Sequence, residues 1–194
     1  MGVVPGLNKP ITTNRAEKGN CAYFLMQRRV CWLEEPAVEQ YGSDCILVLK
    51  CGDKILIHKA PVYSTTRTSF EMLGLIQVEA DFNDLSQLGE VLKDNPDIKG
   101  ALVQYTRQKL DDSYDMEEVV RTIKRIRDIP ILTDDNYAAM KVRYIGVQCG
   151  ADLSCFSSFK LLGPEGIGII VGKEKYIKTS GGRKLFWRNA DPGA

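Results

Sequence analysis

A lysine and an aspartate, each placed at the end of an apolar run, are the residues of this sequence best suited to chemistry. Lys160 ends the segment 152–160, where two serines precede it and glycines follow it. About 26 residues upstream, the apolar run 129–133 ends at Asp134. In an α/β sheet, ligands bind at the carboxyl ends of strands. An amine and a carboxylate delivered there by separate strands can hold opposite ends of one small polar cofactor.

The chemistry that this pair favours is imine formation. A lysine amine reacts with an aldehyde in its neutral form, and burial or a neighbouring cation lowers the pKa of lysine towards that form. Pyridoxal 5'-phosphate (PLP) requires a Schiff-base lysine and an acidic partner for its pyridine nitrogen. Taken alone, Lys160 is typical of a solvated surface lysine, and Asp134-Asp135 is typical of a turn or helix cap.

Four short motifs, in this order, resemble the fold-type-I PLP-dependent enzymes of the aspartate aminotransferase superfamily. The motifs are residues 52–63, 104–108, 133–137 and 157–160, the last with a Gly-Pro pair behind it. The resemblance runs from residue 51 to about residue 177 and is particularly marked to a bacterial aminotransferase-like group of unassigned substrate. It implies transamination, or a related lyase step, on an amino acid. It also implies a homodimer whose active site forms across the subunit interface.

The resemblance assigns roles around the cofactor. Lys160 is the catalytic Schiff-base lysine, which then moves the proton of the substrate Cα. Asp134, rather than Asp135, pairs with the pyridine nitrogen, and Tyr137 hydrogen-bonds the phenolic oxygen of the ring. Tyr63 matches the aromatic residue that stacks on the ring, although such a residue is otherwise typical of half-buried packing.

The same resemblance offers candidates for the anionic groups. Ser157 and Ser158 are candidates for the cofactor phosphate. Gln104 and Arg107 are expected to face the cofactor or a substrate carboxylate, for which a guanidinium is suited. His58 lies inside an apolar run, which favours core packing or a hydrogen bond to the backbone.

Strand and helix patterns alternate from Lys54 onward and are expected to position these residues. Apolar or alternating runs predict strands at 54–58, 75–79, 100–104, 129–133 and 166–172. Helical periods predict helices at 65–73, after a cap at Asp84, and from Met116. This alternation indicates an α/β fold with a mostly parallel mixed sheet flanked by helices. By resemblance it is the large domain of the PLP-dependent transferases.

Three segments are expected along the chain. Residues 1–50 form an N-terminal arm and a divergent segment, residues 51–178 the PLP-binding large domain, and residues 179–194 a divergent tail. The family's Gly/Ser/Thr-rich phosphate-binding turn is not recognisable in residues 19–50, so we expect a sheet that is frayed near the N-terminus. We also expect the family's small C-terminal domain to be missing. We therefore expect a truncated product with residues 19–50 and 183–194 out of frame and weak or no turnover; the alternative is a non-catalytic remnant.

Composition limits the remaining function classes. The 194-residue chain has a net charge of +1, which gives no reason to expect nucleic acid or a membrane surface as a partner. Six cysteines without a C-x-x-C pair, and a single histidine, argue against a zinc site and favour reduced thiols in the cytoplasm. The glycines of the segment 163–172 fit neither the dinucleotide nor the Walker spacing.

Overall fold

A computed structural model describes residues 29–34, 49–60, 64–105, 109–162, 167–173 and 175–176. Its strands are β1 (Arg29–Glu34), β2 (Lys54–His58), β3 (Ile76–Ala80), β4 (Ile98–Gln104), β5 (Ile131–Asp134), β6 (Leu153–Ser157) and β7 (Ile167–Gly172). Its α-helices are α1 (Ser64–Leu73), α2 (Leu85–Asp94) and α3 (Met116–Ile126), and a short 3-10 helix covers Ser158–Leu161.

The strands form one mixed sheet in the order β1-β7-β6-β5-β4-β2-β3. The five strands from β6 to β3 in this order are parallel to their neighbours, while β7 runs antiparallel to both β6 and β1. This confirms the predicted α/β architecture with a mostly parallel sheet.

The strand β1 was not predicted. It pairs with β7 over its whole length, from Arg29 opposite Gly172 to Glu34 opposite Ile167. Its interior reads Val-Cys-Trp-Leu, a continuous apolar run without the polar–apolar alternation that marks a half-buried strand. A run of four apolar residues does not by itself distinguish a strand from other structures. The pairing with β7 therefore identifies this segment as a strand.

Helices cover both faces of the sheet. Successive residues of a strand point to opposite faces, and Leu56 packs in the cluster that contains residues of α2 and α3. Its neighbours Ile55 and Ile57 pack in a second cluster with Phe70 of α1. The two clusters hold the central strands between layers of helix.

Helix starts follow the expected capping chemistry. Asp84 accepts hydrogen bonds from the Ser86 and Gln87 amides at 3.0 and 3.1 Å, which caps α2 as predicted. Asp115 caps α3 by accepting from the Glu118 amide at 3.0 Å. Because α2 and α3 each connect two parallel strands, both helices return the chain to the same end of the sheet. The carboxyl ends of β2, β4, β5 and β6 therefore share one edge.

Candidate active site

The lysine and the aspartate singled out in the sequence lie on neighbouring strands at this edge. Asp134 is the last residue of β5, and β5 pairs directly with β6. Lys160 lies in the 3-10 turn that continues β6. Its Nζ donates a hydrogen bond to the Tyr137 hydroxyl at 2.8 Å and lies 4.6 Å from the centroid of that ring. The structure therefore brings Lys160 and Tyr137 into contact beside Asp134.

Asp134 is held by groups from its own turn and from the neighbouring strand. Its Oδ1 accepts from the Asn136 amide at 3.0 Å, and its Oδ2 accepts from the Gln104 side-chain amide at 3.4 Å. Burial raises the pKa of the Asp134 carboxyl, while these hydrogen bonds and the positive charge of Lys160 act in the opposite direction. A cation placed against Asp134 would therefore stabilise the charged form of its carboxyl group.

Ser157 and Ser158 lie in the chain just before Lys160, and both are buried. The Ser157 amide donates to the Asn136 side-chain oxygen at 2.9 Å, which ties the end of β6 to the turn after β5. Sequence reasoning missed this role of Asn136. The only signal for it was the Asp-Asp-Asn run, which is typical of a turn.

Asp135 has a different environment from its neighbour. Its side chain is fully buried, and its Oδ2 accepts from the Thr133 hydroxyl at 3.0 Å and the Gly146 amide at 3.2 Å. Its Oδ1 has no hydrogen-bond partner among the described residues. Burial raises the pKa of Asp135 to about 6. The Thr133 hydroxyl also bonds the Ser154 hydroxyl at 2.9 Å, so Asp135 belongs to a polar network behind the turn.

Two residues beside Lys160 have left-handed backbone conformations. Tyr137 has a φ of 64° and Leu162 a φ of 60°. Non-glycine residues rarely adopt this region, and such strain is concentrated at functional sites. The turn that presents the Tyr137 hydroxyl to Lys160 is one of these strained positions.

His58 behaves as the sequence predicted. Its Nδ1 accepts from the Phe82 amide at 3.0 Å, and its ring packs 5.1 Å from Phe82 and 5.0 Å from Tyr114. The proton on the other nitrogen is then donated to Asp112 Oδ1 at 2.9 Å. No local pattern indicates Asp112 as the partner of His58, because the two residues are 54 positions apart in the chain.

The other predicted site residues, Tyr63 and Arg107, lie outside the described residues. In the part of the chain that the structure describes, no group of three or more His, Cys, Asp or Glu residues is arranged to hold a metal ion. No helix in that part is long and apolar enough to cross a membrane.

Comparison with known proteins gives both sequence and structural relatives. The protein YhfS of Escherichia coli K12, which is uncharacterised, is 45% identical over 178 residues, covering 91% of this chain and 48% of YhfS. The crystal structure of the PLP-dependent protein YhfS from Escherichia coli matches with a TM-score of 0.79 at 42% identity, covering 93% of this chain and 49% of that one. The chain thus spans about half the length of this relative.

More distant structures share the fold alone. The apo cysteine desulfurase of Thermococcus onnurineus NA1 matches with a TM-score of 0.63 at 19% identity, over 85% of this chain and 43% of its own. The apo methionine gamma lyase CalE6 of Micromonospora echinospora matches with a TM-score of 0.64 at 17% identity, over 78% of this chain and 41% of its own.

A sequence model of the aminotransferase class-V family matches residues 81–184, just over half of the chain. This region includes β4, β5 and β6 and the turns that carry Asp134, Tyr137 and Lys160. Enzymes of this family use PLP and have the fold-type-I architecture. The chain belongs to the aminotransferase class-V family.

Proposed function

We propose that this chain carries the cofactor site of a PLP-dependent enzyme that transforms an amino acid, with Lys160 as its Schiff-base lysine. The main support is the contact between the Lys160 amine and the Tyr137 hydroxyl at the sheet edge where Asp134 ends the neighbouring strand. The family match and the PLP dependence of YhfS point to the same cofactor.

The described residues fit the cofactor in their chemistry. An aldehyde requires an amine, which Lys160 supplies, and a pyridine nitrogen requires an acidic partner, which Asp134 supplies. Burial raises the pKa of Asp134, and a protonated ring nitrogen against the carboxylate would offset that cost. When bound, PLP supplies an electron sink for the negative charge that develops on the substrate Cα.

Lys160 then acts as the acid and base of the site. Its Nζ, once neutral, takes the proton from the substrate Cα and returns it in a later step. The Tyr137 hydroxyl, 2.8 Å away, orients this amine and accepts from it when the amine is protonated. Gln104 holds one oxygen of Asp134 and so fixes the direction of the carboxylate.

The remaining roles are proposals carried by the family resemblance. Ser157 and Ser158 bind the cofactor phosphate, and Tyr63 stacks on the ring. Arg107 binds a substrate carboxylate. The enzyme is a cytoplasmic homodimer, and either transamination or a lyase step on the amino acid would use the same residues.

The test is whether Lys160 itself forms the imine. The purified chain is mixed with PLP, dialysed and scanned for visible imine absorption, beside Lys160→Ala and Lys141→Ala. Lys141 is a matched control because it is exposed and its Nζ lies 5.5 Å from the same Tyr137 ring. We expect a band that survives dialysis in the parent and in Lys141→Ala and that is absent in Lys160→Ala.

Equal, weak bands in all three proteins would contradict the proposal. They would mean that surface lysines react without a built site, as in a non-catalytic remnant. Conversion of PLP to its amine form on addition of an amino acid would distinguish transamination from a lyase step.

A further inference from the structure

We infer that a cleft beside β2 and β3 is a second binding site, for a small ligand that carries a carboxylate or phosphate group. The cleft has a volume of about 310 Å³, which is at the lower end of the range for small-molecule sites. Ile57 and Ala60 supply apolar lining, and the remaining lining is polar or charged. The register of the two strands places Glu79 directly opposite Ile57.

The cleft has more positive than negative side chains, which favours binding of an anion. Lys59, Arg67 and Lys109 line it, against the single carboxylate of Glu79. Within the described residues, neither the Arg67 guanidinium nor the Lys59 ammonium has an ion-pair partner. Several other cations of the chain are paired, such as Lys54 with Asp97 at 2.8 Å. The charge of Lys59 also acts on Asp81, whose pKa it helps to lower. Arg67 is therefore the cation of the cleft whose attraction for an anion is not already used.

One wall of the cleft is fixed before any ligand arrives. The Lys109 Nζ donates to the Lys59 carbonyl at 2.7 Å, and the Lys109 amide donates to Asp112 Oδ2 at 3.0 Å. Asp112 is anchored in turn by His58 at 2.9 Å, and its side chain is 2% exposed. A buried pair thus holds the loop that carries Lys109, which lowers the ordering cost of binding.

The side chains define the chemical class of the ligand. A guanidinium presents paired donors that match the oxygens of a carboxylate or a phosphate. Glu79 accepts hydrogen bonds only, so it favours a ligand that also carries an amine or a hydroxyl group.

The cleft is lined from other elements than those that carry Asp134 and Lys160. Adjacent strands lie about 4.8 Å apart, and β5 and β4 separate β6 from β2. The cleft is therefore roughly 14 Å from the end of β6, along the same edge of the sheet.

The experiment is an amide-resolved NMR titration of the PLP-free chain with inorganic phosphate and, separately, with succinate at constant ionic strength. We expect saturable shifts at Lys59, Ala60 and Lys109 with at least one probe. The probe that binds tells whether the site takes phosphate or carboxylate. The spectra also report whether each variant is folded.

Variants then test the charges. Arg67→Gln is expected to weaken binding at least about tenfold, because a charged hydrogen bond is lost. Arg125→Gln, an exposed arginine on α3, should bind like the parent. Glu79→Gln should bind inorganic phosphate a few-fold more tightly, since the repelling charge is removed.

Two outcomes would overturn the inference. One is the absence of saturable shifts in the cleft with both probes. The other is an equal effect of Arg67→Gln and Arg125→Gln. Shifts confined to Ser157 and Ser158 would place phosphate at the cofactor site instead, and so count against the cleft while leaving the proposed function intact.

Discussion

Two adjacent carboxyl groups, Asp134 and Asp135, occupy different environments and so serve different purposes. Asp134 keeps some contact with solvent at the strand end, with Gln104 and the Asn136 amide as partners. Asp135 is buried, and one of its oxygens has no partner among the described residues. Burial raises the pKa of both carboxyl groups, so the two differ in their partners and in their contact with solvent. Asp134 is suited to a ligand, and Asp135 to holding the turn.

Asp135 makes the stability of the chain depend on pH. Its pKa is about 6 in the folded chain and about 3.9 in an unfolded chain. The folded state binds this proton more tightly, so the contribution of Asp135 to stability is greatest below pH 4 and declines as pH rises to about 6. The decline amounts to about 3 kcal/mol. Asp135→Asn removes the titrating carboxyl group and with it this loss of stability. We therefore expect the variant to be more stable than the parent at pH 7.5 and about as stable as the parent at pH 4.

Urea unfolding of both proteins at the two pH values measures this difference. Asp111→Asn, at an exposed aspartate, is the control and should change neither value. A parent and an Asp135→Asn variant with the same pH dependence would contradict the assignment of Asp135 as a buried, titrating carboxyl.

At the scale of elements, one buried aspartate connects three of them at the opposite edge of the sheet. Asp152 precedes β6 and accepts from Lys124 of α3 and from Lys173 after β7, each at 2.6 Å. It also accepts from the Ile131 amide at the start of β5, at 2.9 Å. The side chain of Asp152 is 1% exposed, so these donors take the place of water.

We expect Asp152→Ala to lower the free energy of unfolding by about 3 kcal/mol, because it leaves the buried Ile131 amide without an acceptor and removes the buried carboxylate that Lys124 and Lys173 contact. Asp128→Ala is a matched control, since Asp128 bonds the same Lys124 amine but is 85% exposed. It should leave the unfolding midpoint nearly unchanged. Chemical denaturation compares the variants, and equal effects would show that burial does not decide the strength of these pairs.

A close approach between the turn and β5 requires glycine at position 146. A Cβ atom there would lie 1.9 Å from the Thr133 hydroxyl oxygen. We expect Gly146→Ala to destabilise the chain by more than about 2 kcal/mol, because the Thr133 side chain cannot move without leaving its network.

Gly89 in α2 is the contrasting position. A Cβ there would come no nearer than 3.4 Å, to the end of the Ile126 side chain. Gly89→Ala should therefore stabilise the chain by up to about 1 kcal/mol, through helix propensity. Thermal unfolding of both variants measures whether Gly146→Ala lowers the stability and Gly89→Ala raises it. A Gly146→Ala variant as stable as the parent would rule out the tight packing of the turn against β5.

Local pattern was sufficient to predict β2 to β5, β7 and the three helices, because each has a period or cap that its own residues define. The resemblance to the fold-type-I PLP enzymes singled out Asp134, Tyr137 and Lys160. The structure brings Lys160 and Tyr137 into contact, and the roles of all three in binding a cofactor stay predictions. Local pattern did not predict β1, which has no alternation, or the contacts of Asp112 and Asp152, whose partners are distant in the chain. Packing alone also explains why one oxygen of Asp135 has no partner among the described residues.

At the scale of the molecule, exposed apolar side chains lie on the two segments that carry Tyr137 and Lys160. Met140 is 79% exposed and Leu162 is 100% exposed, and the segments that carry them meet through the hydrogen bond between Lys160 and Tyr137. Tyr144 is 45% exposed on the same turn. Exposed apolar residues grouped in this way are typical of interaction surfaces. This supports the proposed homodimer, with the interface beside the active site.

The corresponding prediction is that charges at this surface separate the subunits. We expect the parent to be a dimer by light scattering coupled to gel filtration, and the double variant Met140→Glu/Leu162→Glu to be a monomer, since each buried carboxylate would lack a partner. Leu110→Glu is the control: Leu110 is as exposed as Leu162 but lies in the loop before α3, so this variant should stay dimeric. A parent that is monomeric at every concentration, or a control that dissociates equally, would show that this surface does not join two copies of the chain.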